Sequence, residues 1–187
     1  MIIMKWIRDE EFARGGKIPM TKFETRVLTL TLLNIGAGDV FWDIGAGTGS
    51  IAAQAALLGA EVHAVEREAE GADVIQQNAA KFGVHLHVLR GVAPDALALL
   101  PDCAACFLGG SGGQLEAITR AIHARMRPGG RLAANFITPE NFAQFTSLLR
   151  EFAYANVQTR LIQTAVSDER GMLRGQNPVF IVTGIKQ

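Results

Sequence analysis

Little in this sequence points to a metal, a membrane or a nucleic acid. It has two cysteines among 187 residues, Cys103 and Cys106, whereas a zinc site would need four ligands. Their C-x-x-C spacing leads into the apolar run "ACFLGG" rather than opening a helix, so a redox pair is not expected. They read as small apolar residues at the entrance to a buried strand. Neither charge is in excess, with 18 Lys+Arg against 18 Asp+Glu, which argues against a general nucleic-acid binder. No apolar run approaches the ~18–20 residues of a membrane span. The opening "MIIMKWIRDEEF" gains charge at once and shows no small-residue cleavage site, so no secretory signal is expected. These absences leave a soluble, cytoplasmic protein as the expectation.

What is present is a large apolar fraction, 49% of residues, with 19% charged. That balance supports a substantial core and argues against disorder. The length suits a single domain, residues 1–187, with no repeat, low-complexity tract or linker to divide it. Short apolar runs predict strands at 38–45, 61–66, 84–91 and 104–110, and a fifth after a turn at "RPGG" (127–130). Helices are expected at 50–59, 68–82 and 113–126, with a short helical piece near 94–100. A further helix starts at Pro139, where a missing N–H costs little. A sixth strand near 156–165, a polar loop at 167–176 and a seventh strand, "NPVFIVTG", close the chain. Strand–helix alternation implies a doubly wound, mostly parallel α/β sheet. The last two strands have no helix between them, so one of the pair is expected to be antiparallel. Roughly the first 35 residues stand apart as an N-terminal segment with a helix over about 21–34.

The histidines say less. His85 and His87 share a face of the third predicted strand and could pair on a metal, but no third ligand is visible nearby. No metal site is expected, and partly exposed strand positions are the simpler account. His63 falls within the second strand and His123 is expected to face solvent. The methionines and Trp6 are expected to pack.

The most informative stretch is "FWDIGAGTGS" (41–50), a strand running into glycines at alternate positions. A Walker-type phosphate loop needs G-x-x-x-x-G-K-[ST], and no lysine is near. A dinucleotide loop, G-x-G-x-x-G, would put its third glycine at 50, which is Ser50; the spacing here is Gly45, Gly47, Gly49. Asp43 would also repel a pyrophosphate. A cofactor with a positive end reverses that sign. S-adenosylmethionine carries an α-ammonium and a sulfonium, and no phosphate. Asp43 could accept the ammonium directly or through water, and the bare backbone of Gly45, Ala46, Gly47, Thr48 and Gly49 would let the methionyl part approach. Glu66, ending the second strand, could accept two ribose hydroxyls. "RGVA" (90–93), ending the third, is positioned for adenine.

"DIGAGTGS" with "AVE" and "RPGGRL" resembles the class I S-adenosylmethionine-dependent methyltransferases over nearly the whole chain. A narrower resemblance lies in "GGKIPMTKFETR" (15–26), "FLGGSGGQLEAI" (107–118) and "RGQNPVFIVTG" (174–184). These are similar to the decarboxylating precorrin methyltransferases of cobalamin biosynthesis, the T-type subunit. The resemblance implies a Rossmann-like class I fold, a seven-stranded, mostly parallel sheet with an antiparallel last strand, and commonly a homotetramer. It implies methylation of cobalt-precorrin-6B at carbon 15 with loss of carbon dioxide from the acetate on carbon 12. Whether a separate subunit methylates carbon 5 is left open. Cofactor contacts implied residue by residue are Thr21 of "PMTK", Gly45 to Gly49, Glu66 and Ala93. The family often has an acid where this chain has Val92, so the adenine contact is assigned to the Ala93 amide.

A tetrapyrrole substrate bears many carboxylates, which arginine and lysine can meet. Lys17, Lys22, Arg170 and Arg174 are the candidates on this view; otherwise they are solvated surface. In "GGSGG" the amides of Gly110, Ser111 and Gly112 would hold a substrate carboxylate at a helix start. Alternatively the stretch is a strand-to-helix turn capped by Ser111. No catalytic residue is singled out, because methyl transfer to an electron-rich carbon needs no strong base. Two other functions stay open: an RNA or protein methyltransferase, and a non-catalytic partner that retains the loop. Against the first, "LGGS" stands where an Asn-Pro-Pro-Tyr type motif would present an amino nucleophile.

Overall fold

Apolar runs bounded by glycines and polar turns become strands in the computed structural model, which describes residues 6–187. The parallel part consists of β1 (Val40–Ile44), β2 (Glu61–Glu66), β3 (His87–Arg90), β4 (Cys103–Leu108) and β5 (Met126–Phe136). It is completed by β6 (Ala155–Ile162) and β9 (Val179–Ile185), with a small hairpin of β7 (Ala165–Ser167) and β8 (Leu173–Gly175) between them. The helices are α1 (Phe23–Leu33), α2 (Ser50–Leu57), α3 (Ala69–Phe82), α4 (Leu115–Arg125) and α5 (Pro139–Glu151). Strand order is β3-β2-β1-β4-β5-β9-β6, and β9 runs antiparallel to both neighbours. This is the Rossmann-like arrangement expected. No helix among the described residues is long and apolar enough to cross a membrane. The expectation of no secretory signal falls in part on Met1–Lys5, outside the described residues, as do Met1 and Met4.

The central strands are apolar on both faces because both are covered. Phe41, Val62, Ala64, Ala105 and Phe107 pack with Leu30, Leu33, Ile51 and Ile75 of α1, α2 and α3. Trp42, Ile44, Val65, Cys106 and Leu132 face the other way, toward Ile118, Ile122, Phe145 and Leu149 of α4 and α5. Burying each large side chain contributes roughly 1.5–3 kcal/mol. Trp42 also donates from Nε1 to the Pro101 carbonyl at 3.0 Å. His123 does not face solvent as expected: its ring stacks on Phe152 at 4.8 Å.

Two stretches differ from expectation. "RPGG" lies inside β5, and its four residues bulge out between the pairs Cys103↔Met126 and Ala105↔Arg131. Gly129, at φ 78°, carries the bend. The polar loop before the last strand folds into the β7–β8 hairpin, closed by Asp168, which accepts from the Arg170 and Met172 N–H groups at 3.0 Å each.

The N-terminal segment is knitted to the domain by a buried arginine. Arg26 donates to the Ile7 carbonyl at 2.6 Å, to the Thr21 carbonyl at 2.9 Å and to Asp9 Oδ1 at 3.2 Å. Phe12 packs 4.8 Å below its guanidinium. Asn78 of α3 holds the next stretch, exchanging both amide bonds with Ala13 and donating a third to the Thr48 carbonyl.

Cys103 and Cys106 are buried, unpaired thiols, as expected. Burial pushes Cys103 up to about 12 and Cys106 well above its ordinary value. Thiolate chemistry is therefore shut off in the folded state. Both should resist an aqueous thiol reagent at pH 8 and react together on unfolding; labelling of the native protein within minutes would contradict this packing.

Candidate active site

The strand order turns back between β1 and β4, and the carboxyl ends of such strands are where a doubly wound sheet holds its ligand. The chain leaves β1 through Gly45, Gly47 and Gly49, at φ 70°, 55° and 71°. Torsion alone favours glycine at such positions; space demands it. A Cβ on Gly45 would lie 2.9 Å from the Gly110 backbone, and one on Gly47 2.4 Å from the Pro19 carbonyl oxygen. The Gly47 N–H donates to Glu66 Oε2 at 2.9 Å, and the Thr48 N–H donates to the Pro19 carbonyl at 3.2 Å. Glu66 Oε1 accepts from the Glu68 N–H at 3.0 Å. Each carboxylate oxygen thus keeps a lone pair for a ligand.

The turn borders two cavities. One, of about 250 Å³, is walled by Glu66, Gly91, Ala93, Gly110, Ser111 and Gln114. The other, of about 640 Å³, is walled by Thr21, Lys22, Thr25, Asn135, Gln176 and Asn177. Pro19, Gly45 and Gly109 belong to both, so the cavities share a wall at the glycine turn.

Most expected cofactor residues converge here. Gly45, Gly47, Glu66 and Ala93 line the smaller cavity, Thr21 and Ala46 the larger, while Thr48 and Gly49 are buried and line neither. Asp43 departs from expectation, because it lines neither cavity. Strand alternation turns it to the Phe41 side, beneath the loop, where it is 1% exposed and Oδ2 accepts from the Ala52 N–H at 3.0 Å. It therefore anchors the first turn of α2. Oδ1 has no partner among the described residues. Burial, aided by the Glu66 charge and opposed by the Ala52 hydrogen bond, raises this carboxyl to about 7.

The expected substrate residues divide. Lys22 lines the larger cavity, while Lys17 borders a third one beside Glu66, Glu68 and Glu70. Gly110, Ser111 and Gly112 line the smaller cavity together with Glu66, not the larger one. Ser111 is no helix cap: α4 starts at Leu115 with Gln114 at the N-cap. Arg170 and Arg174 line neither cavity. Arg174 pairs with Asp168 at 3.0 Å on the exposed hairpin.

Sequence reasoning missed Asn135, at the carboxyl end of β5. Its Oδ1 accepts from Thr29 Oγ1 at 3.4 Å, while Nδ2 is buried with no partner among the described residues, on the wall of the larger cavity. A lone amide inside "RLAANFI" was the available signal. Gln176 and Asn177 were likewise passed over as side chains. Neither cavity groups metal-ligating residues among those described.

Comparison with known proteins shows the family. A family model described as "Precorrin methyltransferase domain" matches residues 10–186. A relative from Pyrobaculum calidifontis, named a probable cobalt-precorrin-6B C(15)-methyltransferase (decarboxylating), is 36% identical over 95% of this chain and 94% of its own. The crystal structure of a precorrin-6y C5,15-methyltransferase from Geobacter metallireducens superposes with a TM-score of 0.91 at 33% identity, covering 97% of each chain. That of a precorrin 8W decarboxylase from Methanobacterium thermoautotrophicum gives 0.87 at 31%, covering 95% of this chain and 98% of the other.

Because Gly47 is confined by torsion and by Pro19, Gly47→Ala should destabilise the fold by about 1–3 kcal/mol. Thermal unfolding measures this, and a midpoint moved by less than about 1 °C would mean that the N-terminal segment yields freely.

Proposed function

The chain belongs to the precorrin methyltransferase family, and we propose that it is the cobalt-precorrin-6B C15-methyltransferase that also decarboxylates the carbon 12 acetate. The observation that carries this proposal is the pair of cavities meeting at Pro19, Gly45 and Gly109. One has the size and polarity for a nucleoside cofactor, the other for the edge of a macrocycle.

S-adenosylmethionine fits the smaller cavity by its donor set. The glycine turn leaves room that a Cβ would fill, Glu66 keeps free lone pairs for ribose hydroxyls, and the Ala93 backbone borders the adenine end. Asp43 and Glu66 put negative charge beside the turn, suiting a cation and repelling a diphosphate. When bound, the cofactor supplies an electrophilic methyl group on a positively charged sulfur. The residues around it hold the reacting carbons in line, which can be worth about 7–11 kcal/mol. Apolar neighbours such as Ile51 and Phe107 would limit water around the reacting carbons in the larger cavity.

Lys22 is the only titratable side chain among the described residues lining the larger cavity. It serves as the charged partner of a substrate carboxylate, with Asn135, Gln176 and Asn177 as neutral donors. A homotetramer would cover the exposed Leu161, Val166, Met172 and Leu173 of β6 and the hairpin. Methylation at carbon 5, the other position named for the Geobacter relative, would belong to a separate subunit. The protein acts in the cytoplasm.

Incubation with labelled cofactor and cobalt-precorrin-6B should add one methyl group and lose carbon dioxide, read by mass. A methyl group gained on tRNA instead would overturn the assignment. Lys22→Ala should raise KM for the tetrapyrrole about 10-fold or more, the cost of a charge-assisted hydrogen bond. Arg174→Ala, which touches neither cavity, should leave KM unchanged.

Asp43 adds a pH dependence. Its carboxyl is raised to about 7 in the ligand-free fold, so it is mostly neutral at pH 6 and ionised at pH 8. A nearby cation favours the ionised form. Affinity for S-adenosylmethionine should therefore rise as pH rises through 7, by roughly three- to tenfold. Calorimetry measures it, and Asp43→Asn should flatten the profile; a wild-type affinity that falls over this range would remove Asp43 from the cofactor's electrostatic surroundings.

A further inference from the structure

At the opposite end of the sheet, β2 and β3 bring together three residues that the methyl-transfer site does not use. His63 and His87 are paired directly in the parallel register, and Glu61 precedes His63 by two residues. Side chains two apart on a strand share a face, so all three project to the same side. Their ligand atoms lie within 4.8 Å of one another, and Glu61 Oε1 is 3.0 Å from His63 Nε2. The sequence offered His85 and His87 as a pair lacking a third donor; the missing donors come from the neighbouring strand, through pairing that no linear spacing displays.

We propose that Glu61, His63 and His87 bind one divalent transition-metal ion. A four-coordinate ion with bonds of about 2.0–2.2 Å to imidazole nitrogen and carboxylate oxygen holds its donors roughly 3.3 Å apart. The Glu61–His63 pair already has that spacing. His63 is 9% exposed and held by Glu61, so this half of the site is organised in advance. His87 is the half that must move. Its ring is stacked on His63, 4.6 Å between centroids and 13° between planes, and an imidazole lone pair lies in the ring plane. The two rings can converge on one ion only when His87 turns out of the stack, which its exposed position on a short edge strand permits.

Two imidazoles and a carboxylate, without thiolate, select Zn²⁺, Co²⁺ or Ni²⁺ over Mg²⁺ and Ca²⁺. Glu61 and Glu66 lie at opposite ends of β2, about 16 Å apart at the strand rise of ~3.3 Å per residue. The ion therefore takes no part in methyl transfer. It clips the edge strand β3 to β2.

Calorimetric titration of tag-free protein with zinc chloride should find one ion per chain, and magnesium chloride should give no heat at the same concentrations. Cobalt(II) should produce visible ligand-field bands of a low-coordinate site. His87→Ala and Glu61→Gln, both at exposed positions, should each weaken zinc binding about tenfold or more while leaving circular dichroism and S-adenosylmethionine binding unchanged. Zinc should raise the thermal midpoint of the wild type and not of His87→Ala. Absence of one-to-one zinc binding below about 100 µM, on the affinity scale of a weak specific site, would overturn the proposal. So would zinc binding that persists undiminished in both variants. Neither outcome bears on the methyltransferase assignment.

Discussion

The backbone of Gly47 is caught between two acceptors, and the rest of the site depends on how tightly. Its N–H is taken by Glu66 from one side, while the Pro19 carbonyl closes the other, too near for any Cβ. The next residue, Thr48, donates to that same carbonyl, and its own carbonyl receives Asn78. The single turn Gly45–Gly49 therefore joins β2, α3 and the N-terminal segment. The segment is consequently a wall of the site rather than an appendage. Pro19 borders both cavities because it is fastened to the turn that divides them. Arg26 secures the other end of this arrangement by donating to the carbonyls of Ile7 and Thr21.

Electrostatic sign follows from the same turn. An aspartate buried beneath a glycine loop costs folding free energy if ionised without a partner, and Asp43 has only the Ala52 amide. Its raised carboxyl is the physical trace of that cost. A second carboxylate, Glu66, stands nearby and is satisfied by two backbone donors. Together they make the turn a poor seat for phosphate. The direct contact expected from "DIG" is not what the fold provides: the aspartate orders α2 from below and lines neither cavity.

Much of the fold was legible because double burial leaves a strong mark. Parallel strands covered on both faces read as unbroken apolar runs, and Gly83 at φ 64° stopped α3 where the helical spacing ended. What escaped depends on contacts between distant segments. "RPGG" carries every local sign of a turn, yet β4 pairs with residues on both sides of it and absorbs it as a bulge. Arg170 and Arg174 look placed for a ligand in sequence, but they stand on the exposed β7–β8 hairpin that Asp168 closes, and line neither cavity. Asn135 gains meaning only when Thr29, over a hundred residues earlier in the chain, fixes its oxygen and leaves its buried nitrogen without a partner among the described residues. Strand register, which no spacing reveals, sets His63 opposite His87.

The larger cavity suggests how a methyltransferase can work with so few charged groups. Its described walls present one lysine, three carboxamides and several hydroxyls among apolar side chains. A cavity full of arginines would hold a polycarboxylate tightly in ground and transition state alike, which does not speed the chemical step. Neutral donors bind each carboxylate less strongly but fix its direction, and direction is what an in-line displacement requires. Apolar residues such as Ile51 and Phe107 would favour a transition state whose charge is more dispersed than that of the ground state. The same surround leaves the negative charge released by decarboxylation to spread into the conjugated macrocycle. On the proposed reading the labour would divide: the turn at Gly45–Gly49 would orient one reactant, and the Asn135 amide of β5 with Gln176 and Asn177 before β9 the other, across the wall that Pro19 and Gly109 share.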